Sequence, residues 1–147
     1  MVLLPEHRIL DWTIEVLDGP EFRLSAYRGR AVFVNIFASW CPPCRREQPT
    51  LVEFARAHTD DDTAVIGLDA HEEDDAVRAY RKKFAIPYPI AMDRKKQLFG
   101  LFPDHDIKLP TTIIFRPDGT LSCAWLDEIT RDQLENERLA ALAPLPS

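Results

Sequence analysis

The chain has only three cysteines among its 147 residues, too few for a disulfide scaffold, and the odd count leaves one thiol over if the other two pair. It also lacks basic character. The net charge is −6 and no Lys/Arg cluster with interleaved aromatics occurs, which argues against a nucleic-acid partner. No run is long and apolar enough to cross a membrane, and no repeat or low-complexity stretch is present. The opening residues, Met1 to Arg8, lack a basic n-region, their apolar run stops at Pro5, and no small-residue cleavage site follows. They make a poor signal peptide. Read literally, the chain is cytoplasmic; the alternative is a periplasmic or extracytoplasmic location, if a leader or anchor has been removed from an exported protein. What remains is 46% hydrophobic and 29% charged, an ordinary soluble composition in a length that fits one domain, 1–147, with a real core.

The pattern of apolar residues predicts the element order. Asp11 to Leu17 alternates as a half-buried strand, Asp18-Gly19 makes a hairpin turn, and Phe22 to Leu24 returns before a helical turn from Ser25 to Tyr27. Ala31 to Phe37 reads as a buried strand and 44–58 as a helix, followed by a solvated acidic loop at Asp60, Asp61 and Asp62. Val65 to Leu68 suggests a parallel strand and Ala76 to Phe84 a helix behind acidic residues. Tyr88 to Met92 is a weak strand, pushed by its prolines towards an edge or an irregular segment. Lys95 to Leu101 allows a short helix. Thr111 to Phe115 is a strong strand, Pro117-Asp118-Gly119 turns into Leu121 to Leu126, and Thr130 caps a last helix to about Leu142. Such an order implies an α/β fold, a mixed sheet covered by helices on both faces.

Chemistry concentrates at Trp40-Cys41-Pro42-Pro43-Cys44, on a strand-to-helix junction. Two thiols two residues apart there suit thiol–disulfide exchange, one attacking and one resolving. A helix starting around Cys41 would set that sulfur over unpaired N–H groups at the positive end of the dipole, lowering its pKa below the ~8.5 of a free cysteine. Prolines are tolerated in the first turn, and Pro42 is expected at the helix boundary. Arg45, four residues on, is a solvated helix residue or a thiolate stabiliser, and Trp40 either fills core or shapes a substrate groove. Half of a zinc site is the competing reading, but no second ligand pair follows: His58 has no histidine three to five residues later, and His7, His71 and His105 stand alone. No metal and no cofactor is therefore expected. Cys123, sharing a strand face with Leu121 and Trp125, reads as a buried structural thiol.

The stretch from Val34 to Pro49, containing Ser39-Trp40-Cys41-Pro42-Pro43-Cys44, closely resembles the active site of thioredoxin-like proteins, nearest the TlpA/ResA-type branch with its redoxin domain. Pro49 matches the proline that kinks their active-site helix, Asp18-Gly19 with Leu24 to Arg30 matches their N-terminal pattern, and Lys108 to Thr112 matches their G-x-P-T-T loop. The similarity spans about 11–142. It implies a thioredoxin-like fold with an extra N-terminal β-hairpin, and a cis Pro110 facing the cysteines with Leu109 exposed for pairing to a substrate chain. Two positions depart from the pattern. Lys108 stands where glycine is usual, and Asn35 replaces the buried aspartate of thioredoxins, so deprotonation of Cys44 needs water or another group, with Asp69 a candidate.

The function expected is a thiol–disulfide oxidoreductase with catalytic Cys41 and Cys44 and a substrate surface of Trp40, Pro42, Pro43, Leu109 and Pro110. Its partners would be protein disulfides and an upstream thiol reductant, and the chain would act as a monomer. The alternatives are a thiol peroxidase, against which Ala38 stands where the peroxidatic pattern has threonine, and a non-enzymatic metal-binding thiol chaperone.

Overall fold

A computed structural model describes residues 11–58, 61–95, 97 and 108–144. The elements run β1 (Thr13–Val16), β2 (Gly19–Arg23), a 3-10 turn (Leu24–Tyr27), β3 (Ala31–Phe37), α1 (Pro42–Ala57), β4 (Thr63–Asp69), α2 (Asp74–Phe84), β5 (Ile90–Met92), β6 (Thr111–Phe115), β7 (Leu121–Trp125) and α3 (Arg131–Leu142). The short helix expected over Lys95 to Leu101 falls largely outside the described residues.

One mixed sheet in the order β2-β1-β5-β4-β3-β6-β7 organises the chain. β3, β4 and β5 are parallel neighbours, whereas β6 lies antiparallel to β3 and β7 antiparallel to β6. Every residue of β3 and of β4 is buried, as expected of strands with neighbours on both sides and cover on both faces. The two β-α-β crossovers place α1 and α2 over the same face, and α3 joins them there: Phe33, Phe37, Leu51, Phe54, Val77, Tyr80 and Leu134 form one apolar cluster. The opposite face gathers Ile14, Phe22, Leu24, Val34, Ile66, Ile113 and Phe115, with Tyr27 of the 3-10 turn packed on it. Helical segments thus flank both faces, and the β1–β2 hairpin is the expected N-terminal addition, turning at Asp18 with φ of 56°.

Two strands differ from expectation. β5 is neither edge nor irregular but lies between β1 and β4. Its prolines cost no ladder bond, because Pro87 and Pro89 precede the strand, and Pro89 serves as an acceptor from the Gly67 N–H at 2.9 Å. In β7 the pairing with β6 shifts register between Ile114 and Phe115. That extra residue turns Leu121 to the second cluster, while Cys123 and Trp125 pack on the first, so Cys123 and Leu121 do not share a face. The last helix starts as its sequence predicts: the Thr130 side chain accepts from Gln133 N–H and the Gln133 side chain accepts from Thr130 N–H, a complete capping box.

Candidate active site

β3 ends at Phe37, and the chain turns through Ala38, Ser39 and Trp40 into Cys41, the N-cap of α1, with φ −84° and ψ 112°. Pro42 and Pro43 occupy the first two helical positions and carry no N–H, so the first amide that can reach back is that of Cys44, which donates to Cys41 Sγ at 3.3 Å. The two cysteines form a disulfide, with Cα atoms 5.3 Å apart. Cys41 is 3% and Cys44 1% exposed, while Trp40 beside them is 68% exposed and therefore fills no core.

Arg45 is half-buried, not the solvated helix residue of one of its two readings. Its guanidinium donates to the Ser39 carbonyl at 3.0 Å and lies over the rings of Phe84 (5.4 Å) and Tyr80 (5.9 Å), bracing the turn rather than standing in solvent. Tyr80 in turn donates to Gln48 Oε1 at 3.0 Å and approaches the Cys44 carbonyl at 3.4 Å.

The Leu109–Pro110 peptide is cis, as the resemblance implies. Pro110 is buried at the start of β6, and Leu109, half-buried, packs against the cluster that contains both cysteines. Lys108, standing in the usual glycine position, forms an exposed ion pair with Asp127 at 3.0 Å, and its carbonyl accepts from the Thr111 hydroxyl. Pro42 is exposed and Pro43 half-buried.

A residue that sequence reasoning missed is Glu47. It lies one turn after Cys44 on the inner face of α1 and is 3% exposed. Asn35 Nδ2 donates to its Oε1 at 2.9 Å, and the Ile129 N–H donates to its Oε2 at 2.7 Å. Asn35 Nδ2 also reaches Thr112 Oγ1 at 3.1 Å. Burial pushes the Glu47 carboxyl up to about 7, against the pull of those two hydrogen bonds. Asn35 therefore does not empty the site of buried acid; it anchors a different one. The available signal was the i, i+3 spacing of Glu47 from Cys44.

Asp69, the sequence candidate for proton acceptor, is buried at the end of β4 and takes the Glu72 N–H at 2.7 Å on Oδ2. Its bonded partner is Glu72, from the β4–α2 loop that follows. Cys123 is buried, its thiol donating to Glu137 Oε2 at 2.8 Å; burial and then that carboxylate push the thiol far above its ordinary range. Asp61 and Asp62 bind Arg138 at 2.8 and 2.7 Å, so their loop is tied to α3.

A proline-started helix capped by a disulfide-bonded cysteine, on a mixed sheet with a cis-proline loop, defines the class: a thioredoxin-fold thiol–disulfide oxidoreductase. Comparison with known proteins agrees. Residues 5–124 match the AhpC/TSA family, and the chain belongs to it. The thiol-disulfide oxidoreductase ResA of Bacillus cereus is 30% identical over 137 residues, 91% of this chain and 76% of that protein. A thiol:disulfide interchange protein of Chlorobium tepidum superposes with a TM-score of 0.82 at 25% identity, covering 90% of this chain and 94% of that one. StoA of Bacillus subtilis shares the fold, with a TM-score of 0.75 at 21% identity over 90% of this chain and 98% of its own. No helix among the described residues is long and apolar enough to cross a membrane.

Proposed function

We propose that the chain reduces disulfides in protein substrates, with Cys41 as nucleophile and Cys44 as resolving thiol. In the dithiol form, Cys41 thiolate attacks one substrate sulfur; the Cys41–substrate bond forms, the substrate disulfide breaks, and the other substrate sulfur leaves as a thiolate that takes a proton. Cys44 then attacks Cys41 Sγ; the Cys41–substrate bond breaks, the substrate sulfur that Cys41 had attacked leaves as a thiolate and takes a proton, and the Cys41–Cys44 disulfide closes. Two electrons have passed to the substrate, so an upstream thiol reductant must return them. The observation that carries this order is the position of Cys41 as N-cap beside exposed Trp40, with Cys44 one turn inside the helix.

Glu47 supplies the buried base that Asn35 cannot be: a carboxyl brought to about 7 is poised to accept the Cys44 proton during resolution. Trp40, Pro42, Pro43, Leu109 and Pro110 form the surface that receives the substrate chain, which pairs with the backbone of Leu109 as an added strand. The protein works as a monomer.

The test is a pair of substitutions. Cys44→Ser should accumulate a covalent adduct with a disulfide-containing protein, resolved by mass spectrometry, and Cys41→Ser should abolish reduction. Undiminished reduction by Cys41→Ser would sink the reading, and rapid catalytic consumption of peroxide would move it towards a peroxidase.

A further inference from the structure

The turn that delivers Cys41 is held from outside its own helix. Ser39, two residues before Cys41, donates its N–H to Glu72 Oε1 at 2.7 Å and its hydroxyl to Glu72 Oε2, while its carbonyl takes the Arg45 guanidinium. Glu72 comes from the β4–α2 loop, where His71 adopts a left-handed φ of 63°, unusual for a residue with a side chain. One glutamate thus occupies both donors of the residue on which the active-site turn pivots.

Behind Glu72 stands a second acid. Asp69 is 1% exposed, and its Oδ2 takes the Glu72 N–H. Its Oδ1 is buried and meets no N–H or conventional O–H donor among the described residues. An ionised oxygen so placed would be costly, whereas a protonated one can donate to the Glu72 carboxylate. The other charged groups facing this pair are Asp93 and Arg94 after β5, which line the same small cleft with Met92 and His71. Arg94 is engaged by Asp74 of α2 and by Glu15 of β1, the latter at 3.6 Å. From α1 the only charge bearing on the turn among the bonds described is Arg45, through the Ser39 carbonyl.

We propose that Asp69 and Glu72 form a one-proton carboxyl pair that positions the Ser39-Trp40-Cys41 turn for thiol–disulfide exchange. Glu72 holds the turn, and protonated Asp69 holds Glu72; both are positioning residues, and the role rests on the oxidoreductase reading above. Burial, reinforced by the hydrogen bond to Glu72, pushes the Asp69 carboxyl up to about 8. Burial opposes ionisation of Glu72, but hydrogen bonds from Asp69 and Ser39 outweigh it and hold that carboxyl below the usual glutamate range. When Asp69 loses its proton, two carboxylates meet in one site and repel, and the grip on Ser39 loosens.

Amide NMR of Ser39 across about pH 6 to about pH 9.5 tests the pair directly. In the wild-type protein the Ser39 resonance should move with a midpoint near 8, and in Asp69→Asn, whose amide keeps a neutral donor and an acceptor, that transition should vanish. Glu72→Ala should slow both alkylation of Cys41 in the reduced protein and kcat/KM for disulfide reduction by about tenfold, with Glu72→Gln recovering most of the loss. A Ser39 resonance that stays flat, the same transition in Asp69→Asn, or wild-type rates in Glu72→Ala would overturn the proposal. If Ser39 titrates as expected but wild-type protein reduces no disulfide, the oxidoreductase reading fails while the carboxyl pair stands.

Discussion

Glu47 on α1 and Asp69 at the end of β4 are both buried acids, yet the fold treats them in opposite ways. Glu47 sits among donors: Asn35 from β3 and the Ile129 amide before α3 each hold one of its oxygens. Its negative form is therefore provided for, and burial brings it only to about 7. Among the described residues Asp69 has a single amide and then a second carboxyl, Glu72, against it, and is raised to about 8. A donor-rich pocket makes a base that can take a proton and give it back near neutrality. An acid backed by another acid keeps its proton and becomes a strut. The burial of the two is nearly equal, so the difference lies in the partners.

The comparison breaks most readily at Glu47. Replacing it with Gln removes the titrating group and leaves an amide that cannot accept from both donors unless Asn35 turns over. Resolution of a Cys41 mixed disulfide by Cys44, followed by stopped flow at about pH 7.5, should slow by about a hundredfold. In the wild type this rate should rise with pH through about 7, because only ionised Glu47 can accept the proton. The variant should show only the later rise of the thiol itself, near ~8.5. An unchanged rate and midpoint would mean that Glu47 is as much a strut as Asp69.

How far this contrast could be read in advance depends on the distance over which each contact forms. Local features came through: the boundaries of β3 and β6, the Thr130 cap, and Cys41 at the head of a helix follow from patterns within a few residues. Glu47 did not, because its pocket joins Asn35, 12 residues away, to Ile129, 82 residues away. Without that closure, asparagine at position 35 looks like a lost acid rather than a donor for another. β5 was underrated because its prolines were counted as strand interior, when they end just before the strand. The side on which Leu121 falls was inverted by the register shift against β6, and strict alternation has no means of anticipating an inserted residue. Pro110 as a cis residue came from family resemblance, since nothing in the local sequence separates it from a trans proline before a strand.

Both carboxyls also write themselves into stability. A raised acid binds its proton more tightly folded than unfolded, so the stability it adds is complete below its unfolded value and is lost as pH rises through the folded one. For Glu47 that window runs from 4.5 to about 7, and for Asp69 from 3.8 to about 8. Asp18 and Asp61 work the other way: Arg78 and Arg81 hold the first, and the Asp62 amide and His58 the second, at about 2, so their support is lost as pH falls from 3.8 towards that value. Denaturant unfolding should therefore find the protein most stable near pH 4 to 5 and weaker at pH 8. Glu47 accounts for about 3 kcal/mol of the fall at most. Asp69→Asn and Glu47→Gln should each flatten the decline, Asp69→Asn over the wider range. A stability that climbs from pH 5 to pH 8 in the wild type would contradict both assignments.

The smallest effect belongs to Cys123, whose proton is the second held against a carboxylate, after that of Asp69. Cys123 donates to Glu137 Oε2 at 2.8 Å, but here the proton stays on sulfur, because burial penalises the thiolate and the neighbouring negative charge penalises it further. The thiol should resist alkylation in the native reduced protein at about pH 8, under conditions that label Cys41. Cys123→Ala should cost about 1 kcal/mol, since a small buried group is lost while Glu137, half-buried, can turn to water. The exchange rate should stay within about twofold of the wild type, because Cys123 lies on β7, separated from the α1 N-terminus by β6 and β3. Fast labelling of Cys123 would show that its proton is as exchangeable as that of Glu47, and the division between acids that give up a proton and partners that keep one would lose its third case.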